Sequence, residues 1–562
     1  MEAEKKKPLF RPKLLSSLKN YSGSKLMNDV IAGVIVAIIA LPLSIALAIA
    51  SGVSPERGLY TAIIAGFVIA MLGGSSVNIS GPTAAFATIV AGIVASYGLS
   101  GLIVATIMAG VILIILGVLK FGSLIKFIPM TITVGFTAGI AVTIAVGQLK
   151  DLLGLTYPEG TVAIDTVDKL KAIIGSIGTI DINAVLVGAI ALAILILWPM
   201  LGKMRGRASA VFSKIPASII AVIVGILLVR FSPLKANTIG ALYPDLSSRF
   251  PAPSFPKFSF ETLRAVAPSA FTIAILAAIE SLLSCVVSDG MTGDRHNSNT
   301  ELIALGVGNI CSGIFGGIPA TGAIARTAAN VKNGGRSPVA GMVHAVVLLL
   351  FLLVLMPLAK LIPMPVIAAI LIMVAYNMSE WRQFVSICRS APKSDIIVLV
   401  VTFVLTVVFD LVVAIGVGMV LAAMLFMKRM SEVSHVRRWK ELPDSSRQIP
   451  KGTLIYEFNG PMFFAGAEKI LEVAAEKDTR SMILRMGGVL SIDATAAKNL
   501  ESILRSCRER NVRLILSHVH EQPMRVLRKA GFCEKLGYEN FAKNIDAAIE
   551  LAEEANSLSG GN

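Results

Sequence analysis

The chain has 562 residues, of which 55% are hydrophobic and only 15% are charged. Soluble domains carry about 25% charged residues, so the composition excludes a wholly soluble protein and predicts a polytopic membrane protein with some soluble part. The formal net charge is +15. The basic residues form no single aromatic-laced patch, so we interpret the excess as cytoplasmic loop charge and expect no nucleic-acid partner.

Fourteen apolar runs follow a basic cytoplasmic leader at residues 1–26. The first seven lie at roughly 28–50, 57–72, 82–97, 100–118, 124–147, 181–199 and 215–230, and the second seven at roughly 266–288, 300–315, 320–331, 338–358, 362–377, 394–409 and 411–428. Because seven is an odd number, the second set must enter the membrane from the opposite side. The pattern predicts an α-helical transmembrane domain over 27–430, built as the inverted repeats 27–231 and 263–430.

Basic residues gather in the loops that this topology places in the cytoplasm. The last of these loops carries Arg437, Arg438 and Lys440, whereas the long outside loop at 148–180 has mixed charge. The positive-inside rule therefore predicts a multi-pass protein of the plasma (inner) membrane, surrounded by lipid, with both termini in the cytoplasm.

The composition changes after Lys440. Strand-like stretches lie at 453–458, 481–485 and 512–516, and helical stretches lie at 465–477 and 495–510. Alternating strands and helices predict a small α/β domain with a mostly parallel sheet. We place this domain at 451–555, after a linker at 431–450.

The third and tenth apolar runs are interrupted by glycine and proline. The third contains Ser80-Gly81-Pro82-Thr83-Ala84-Ala85, and the tenth opens with Pro319-Ala320-Thr321-Gly322-Ala323 and continues to Arg326. Broken backbone at bilayer depth must be sheltered by protein or line a cavity, and such segments at corresponding places in two halves indicate a transporter's binding site. We predict two half-helices whose N-termini point at one anion.

The predicted site joins backbone N–H groups with one cationic side chain. The guanidinium of Arg326 would add to the positive end of the helix dipole, and bare N–H groups would donate to the anion. The predicted substrate-binding residues are Ser80, Thr83, Ala84, Ala85, Thr321, Gly322, Ala323 and Arg326. Two alternatives are that Arg326 reaches the cytoplasm or pairs with a carboxylate, and that the small residues only allow close helix packing.

Glu280 lies in an otherwise apolar run. Because desolvation disfavours the charged form of a carboxylic acid, we predict that Glu280 carries the coupled proton. Permanent pairing with Arg326 and Na⁺ binding are the alternatives. Downstream, Ser298 to Glu301 matches a capping box, which predicts a helix start and no chemistry. The five cysteines lack metal-site spacing, and no P-loop or catalytic triad is present, so we expect no enzymatic activity, no metal and no cofactor.

The motifs resemble the sulfate permease (SulP) family, the bacterial relatives of solute carrier family 26. The matching residues are Leu41-Pro42-Leu43-Ser44, Gly58-Leu59-Tyr60, Ser80-Gly81-Pro82-Thr83-Ala84, Glu280-Ser281-Leu282-Leu283, His296-Asn297-Ser298-Asn299 with Glu301-Leu302, Gly308-Asn309, and Arg326 with Gly334-Gly335. The resemblance implies 14 TM segments in a 7+7 inverted repeat with a UraA-like core and gate. The core holds the first four segments of each repeat and the gate the last three. It also implies a C-terminal α/β STAS domain, a homodimer, and an anion between the third and tenth segments.

Several positions depart from the family patterns. Leu43 replaces a glutamine usual in sulfate permeases, which weakens a sulfate assignment, and Thr83 replaces an aromatic residue of prestin. Glu280 replaces the aspartate of sodium-coupled bicarbonate relatives, which favours H⁺ over Na⁺. Asp493 is followed by Ala494, so the STAS phosphoserine switch does not carry over.

The substrate prediction comes from two further strings. Ala323 to Val331 and Asn377-Met378-Ser379-Glu380 most resemble the aerobic C4-dicarboxylate transporter of this family. They predict proton-coupled uptake of succinate, fumarate or aspartate. The alternatives are sulfate or bicarbonate transport, an anion channel or charge sensor, and a regulatory module whose STAS domain binds a cytosolic partner.

Overall fold

A computed structural model of the chain describes residues 10–123, 129–158, 161, 163, 165–202, 215–256, 259–409, 411–441, 448–463 and 478–558. The chain divides into two compact units, Met1–Met419 and Val420–Asn562. The helix predicted at 465–477 and the first nine residues of the predicted leader lie outside the described residues.

The first unit is helical. Its first-half helices are α1 (Lys13–Ser17), α2 (Gly23–Ala50), α3 (Pro55–Leu72), α4 (Ala87–Val118), α5 (Met130–Leu153), α6 (Thr166–Gly175), α7 (Ile182–Leu201), α8 (Ala217–Phe231) and α9 (Ile239–Leu242). Its second-half helices are α10 (Phe260–Thr292), α11 (Ser298–Ile314), α12 (Ile324–Lys332), α13 (Pro338–Ala359), α14 (Met364–Met378), α15 (Trp381–Ser390), α16 (Lys393–Val408) and α17 (Leu411–Val433), the last of which continues into the second unit.

Among the described residues, nine helices are long and apolar enough to cross a membrane. Each of the fourteen predicted apolar runs contains a helix within its described part. The fourth run and most of the third, from Ala87 onwards, lie in α4, which is broken at Gly98, where φ is +65°. The chain is therefore a multi-pass helical protein, and the number of crossings stays a prediction.

The helices of the first unit pack as two groups. In the first group, α4 packs on α10 and α11, and α13 packs on α2 and α3; in the second, α14 and α16 pack on α5, and α7 packs on α8 and α14. These groups correspond to the predicted core and gate. The α4–α11 contact requires glycine, because a Cβ on Gly306 would lie 2.5 Å from the Gly110 carbonyl oxygen.

Two short strands join the interrupted segments. Strand β1 (Ser80–Gly81) pairs antiparallel with β2 (Thr321–Gly322), so that Ser80 lies opposite Gly322. The segments are broken near both prolines, as predicted, because a 3₁₀ turn at Ala84–Phe86 follows Pro82 and α12 starts only at Ile324. The pairing supplies partners to backbone groups that a broken membrane helix would otherwise leave unsatisfied.

The second unit contains a five-stranded sheet in the order β3-β4-β5-β6-β7. Its elements after α17 are β3 (His435–Trp439), β4 (Thr453–Asn459), β5 (Ser481–Gly488), α18 (Ala494–Glu509), β6 (Arg513–Ser517), α19 (Glu521–Lys529), α20 (Phe532–Leu536), β7 (Phe541–Ala542) and α21 (Ile545–Leu558). Strand β3 pairs antiparallel with β4, and the remaining pairs are parallel, which confirms a mostly parallel α/β domain.

Part of the predicted linker is therefore a strand. Residues 435–439 pair along β4, and Trp439 also donates from Nε1 to Glu457 at 3.0 Å. Alternate residues of the central strands point to opposite faces. On one face Ile455, Ile483 and Ile515 pack on the apolar side of α21. On the other, a larger apolar cluster lies under α18, α19 and α20.

Candidate anion-binding site

Arg326 is buried between the two interrupted segments. It is the third residue of α12, and only 2% of its surface is exposed. Its Nη2 donates to the Pro82 carbonyl oxygen, and its Nη1 lies 2.6 Å from the place that a Cβ on Gly81 would occupy. The guanidinium therefore contacts the backbone of the other interrupted segment directly. The interrupted backbone leaves the Pro82 carbonyl in need of a donor, and Arg326 supplies it.

Arg326 forms no direct ion pair among the described residues, and the carboxylate whose charge acts on it is that of Glu280. Nε and Nη1 are buried without a hydrogen-bond partner, and none of the ion pairs among the described residues includes Arg326. With 2% exposure the side chain also does not reach the cytoplasm. Within the described part of the chain, Arg326 therefore has neither a direct ion pair nor an exposed guanidinium, and its interaction with Glu280 is through space.

The first turn of α12 presents unoccupied backbone donors. The helix has Ala323 as its N-cap without a side-chain cap bond, and Thr327 N is the first to bond back into the turn, to Ala323 O at 2.8 Å. Ile324, Ala325 and Arg326 therefore have N–H groups for which the described residues supply no acceptor. Ile324 is 37% exposed, so this turn can be approached.

The donor set differs from the predicted one. Ala323 N donates to the Ile79 carbonyl oxygen at 2.8 Å, and Thr321 and Gly322 form β2. The strand pairing occupies this backbone before the helix begins. The available N–H groups therefore lie one to three residues farther along, in the first helical turn.

The start of the third segment also has uncapped N–H groups, but its residues are buried. Thr83 precedes the 3₁₀ turn without capping it through its side chain, and Phe86 N bonds to Thr83 O at 3.3 Å. The N–H groups of Ala84 and Ala85 have no acceptor among the described residues, and both side chains are buried. Ser80 is buried as well, with no partner for its hydroxyl in the described structure. Two uncapped helix starts therefore lie at the ends of one strand pair.

Glu280 contacts the residue that begins the third segment's helical turn. Its Oε2 accepts a hydrogen bond from Thr83 Oγ1 at 2.8 Å, and its side chain is partly exposed. Among the described residues it forms no ion pair with Arg326 or any other cation. A direct ion pair with Arg326 is therefore not found, although the two charges interact through space, and the second carboxylate oxygen is free to hold a proton.

A cavity of about 350 Å³ lies between α4 and the gate helices α5 and α16. Its wall on α4 begins at Thr88, one turn after Ala84, and continues to Tyr97. Ile140 of α5 and Thr406 of α16 form part of the opposite side. The predicted binding residues are not among those that line it.

Glu301 is a buried carboxylate whose role the sequence pattern misassigned. Asn297, not Ser298, caps α11, since its side chain accepts from Asn299 N at 3.1 Å and Thr300 N at 3.2 Å. Glu301 instead accepts from Gly74 N at 2.8 Å, across 227 residues of sequence. The predicted helix start is confirmed, since α11 begins at Ser298, but the capping partners differ because the pattern considers only local partners. The Gly73-Gly74 pair was the sequence feature that could have indicated a close contact at this loop. A Cβ on Gly73 would lie 2.9 Å from Glu301 Oε2.

Comparison with known families agrees with this architecture. The model of the sulfate permease family matches residues 26–402, and that of the STAS domain matches residues 445–548. The chain belongs to the sulfate permease family. It is accordingly an anion transporter of this family with a C-terminal STAS domain.

Two curated relatives match nearly the whole chain. The "Putative sulfate transporter YvdB" of Bacillus subtilis (strain 168) is 38% identical over 94% of this chain and 98% of that protein. The "Bicarbonate transporter BicA" of Picosynechococcus sp. is 31% identical over 93% of this chain and 94% of its own. The names of both relatives refer to inorganic oxyanions, so they give the predicted dicarboxylate substrate no support.

Solved structures confirm the fold. The structure of SLC26A9 matches 97% of this chain and 93% of its own with a TM-score of 0.86, at 21% identity. The transmembrane domain of a cyanobacterial BicA matches 70% of this chain and 99% of its own with a TM-score of 0.59, at 30% identity. The helical transporter domain followed by a STAS domain is therefore as predicted.

Proposed function

We propose that this protein is a secondary active transporter of a small inorganic oxyanion, sulfate or bicarbonate, that takes up a proton with its substrate. The anion binds at the first turn of α12, opposite the turn at Ala84–Phe86. The observation that carries the proposal is the buried guanidinium of Arg326, with Nε and Nη1 lacking hydrogen-bond partners in the described structure, beside the uncapped N–H groups of Ile324 and Ala325.

Electrostatics favours an anion at this position. Each helix N-terminus contributes roughly half a positive charge, and an uncompensated buried guanidinium costs several kcal/mol. A bound anion offsets both terms. Since the guanidinium lies behind Gly81 and Pro82, Arg326 acts on the anion mainly through its field, while backbone N–H groups make the direct contacts.

The size of the surrounding residues favours a small ligand. Ala84, Ala85 and Ala323 are all buried, and they border the two helix starts. Small side chains allow an oxyanion to approach the backbone closely. Together with the sulfate and bicarbonate named for the two relatives, this supports an inorganic oxyanion over succinate, fumarate or aspartate.

Proton coupling is assigned to Glu280. Its carboxylate bonds to Thr83, the residue before the 3₁₀ turn, so a negative charge on Glu280 lies beside the proposed anion site. Protonation removes that charge and favours anion binding, because like charges in a low-dielectric site repel. The proton and the anion then cross together, and Na⁺ is the less favoured alternative. We further expect a homodimer in the inner membrane with both termini cytoplasmic.

Uptake into proteoliposomes tests the proposal. Purified protein is reconstituted, and uptake of labelled sulfate, bicarbonate and succinate is compared with and without an inward proton gradient. We expect the gradient to accelerate sulfate or bicarbonate uptake, and sulfate uptake to acidify the lumen, with Arg326→Ala vesicles as control. Uptake of succinate alone would contradict the substrate assignment, and acceleration by a sodium gradient instead would contradict the coupling.

A further inference from the structure

A buried polar network surrounds Glu301 at the start of α11. The side chain is 1% exposed, and its Oε2 accepts from Gly74 N at 2.8 Å and from Ser75 N at 3.2 Å. Its Oε1 accepts from Asn78 Nδ2 at 2.8 Å. These partners belong to the loop that leads from α3 into β1, so a single carboxylate holds three positions of that loop.

The network continues from Asn78 to α12. Asn78 Oδ1 accepts from Thr327 Oγ1 at 3.0 Å and from Ser284 Oγ at 2.7 Å. The Thr327 hydroxyl in turn accepts from Ile79 N at 3.0 Å, and the Ile79 carbonyl accepts from Ala323 N at 2.8 Å. The path from Glu301 therefore ends at the N-cap of α12, one residue before the proposed anion donors.

Glu301 lacks a cationic partner. None of the ion pairs among the described residues includes it, and its close partners are N–H donors, with Ser281 Oγ at 3.5 Å. A carboxylate buried in this way is retained only if the hydrogen bonds compensate for the loss of water. Burying a carboxylate costs more free energy than a helix start requires. We therefore infer that Glu301 is kept for the loop geometry that its hydrogen bonds fix.

We propose that Glu301 is a positioning residue for the anion site. It fixes the loop through Gly74 and Ser75 and, through Asn78 and Thr327, sets the position of the α12 first turn relative to β1. The role in binding rests on the proposed transport function, whereas the effect on the backbone does not. The neighbours Glu280 and Ser281 on α10 contact the two ends of the β1 region, Thr83 and Asn78 respectively.

Asp29 offers a matched control. It is also 1% exposed and accepts four hydrogen bonds, from Arg336 N, Ser337 N, Ser337 Oγ and Tyr21 OH. These bonds cap α13 and lie outside the path to α12. Asp29→Asn therefore reproduces the general free-energy cost of replacing a buried carboxylate by an amide. It does so without disturbing the proposed path from Glu301 to the first turn of α12.

The test compares Glu301→Gln with Asp29→Asn in the full-length protein. The glutamine amide turns a donor towards either the Gly74 and Ser75 N–H groups or Asn78 Nδ2, so one acceptor is lost. We expect backbone hydrogen exchange at 79–86 and 321–327 to rise by about tenfold or more in Glu301→Gln, and sulfate or bicarbonate affinity to fall by a similar factor. Asp29→Asn changes neither, although it lowers the melting temperature.

Two results would overturn the inference. The first is unchanged exchange in these two segments in Glu301→Gln, and the second is an equal rise in Asp29→Asn. If Glu301→Gln does not fold, Thr327→Val removes only the hydroxyl that links Asn78 to Ile79, and it must raise exchange at 79–86. If the wild type binds none of the anions, the transport proposal fails, and the exchange data still decide whether Glu301 positions α12.

Discussion

The guanidinium of Arg326 donates to the carbonyl oxygen of Pro82, so the arginine of one repeat holds the entrance to the broken segment of the other. Each group satisfies a hydrogen-bonding requirement of the other. The proline interruption leaves a carbonyl without a helical donor, and the buried cation requires acceptors. Since Nε and Nη1 remain without partners in the described structure, this contact alone does not satisfy the arginine.

Replacing Arg326 tests the electrostatic basis of anion binding. Opposite unit charges roughly 6–10 Å apart attract each other by about 1.5–3 kcal/mol at an effective dielectric constant of about 20, so Arg326→Ala is expected to weaken binding by roughly tenfold to a hundredfold. Arg326→Lys keeps the charge and retains part of the affinity. The measurement is equilibrium binding of labelled sulfate and bicarbonate to purified protein. Equal affinity of the alanine variant and the wild type would remove Arg326 from the site.

Replacing Glu280 separates anion movement from proton movement. Glu280→Gln keeps an acceptor for Thr83 Oγ1 but loses the titrating group. We expect it to exchange anions across the membrane while a proton gradient no longer accelerates uptake. Glu261→Gln, on an exposed turn of the same helix, serves as control and stays coupled. Luminal acidification during uptake by Glu280→Gln would assign the proton to another group.

The loop at Gly74 has no room for a side chain. A Cβ there would lie 2.1 Å from the Asn297 carbonyl oxygen, so Gly74→Ala forces backbone to move and is expected to cost about 1–3 kcal/mol of stability. Gly290→Ala is the matched helix variant, because nothing lies within 4 Å of its Cβ position. It is expected to be neutral or slightly stabilising. Thermal melting in detergent compares the two, and equal melting temperatures would contradict the packing argument.

Tyr21 predicts an alkaline dependence of stability. Burial raises the pKa of Tyr21 to about 12, and the neighbouring Asp29 adds to this effect while the Ser337 hydroxyl opposes it. Because the folded pKa exceeds the unfolded value of 10.0, the contribution is fully present below pH 10 and is lost as pH rises towards 12. The melting temperature of the wild type should therefore fall more steeply over this range than that of Tyr21→Phe. Tyr538→Phe, at an exposed tyrosine, should behave like the wild type.

The fold was predictable where the signal is local and repeated. Apolar runs, and the prolines at 82 and 319, are sufficient to locate the helices and the two interruptions, because membrane depth penalises both polar residues and broken backbone. The mostly parallel sheet followed from alternating strands and helices. Strand β3 was missed, since His435–Trp439 is basic and becomes a strand only by pairing with β4.

The position of Arg326 between the broken segments was predictable, whereas its contacts were not. Sequence placed Arg326 beside the two broken segments, yet its actual partner, Pro82 O, lies 244 residues away. The same holds for Glu301, whose local pattern indicated a cap. The N–H groups left without an acceptor are those of residues 324–326 and not the predicted 321–323, because strand pairing occupies the backbone at 321–323. The sequence of one segment alone does not reveal this pairing. The substrate was the least accessible property, because backbone donors accept many oxyanions.

The antiparallel pair of β1 and β2 takes one strand from each half of the chain. Neither half expressed alone could complete this ladder, and neither would present both helix starts to a ligand. The core segments of the two halves are thus linked at their interruptions, and separating them would require main-chain hydrogen bonds to break. Side-chain substitutions have little direct effect on the pairing of β1 and β2, because main-chain atoms form its hydrogen bonds.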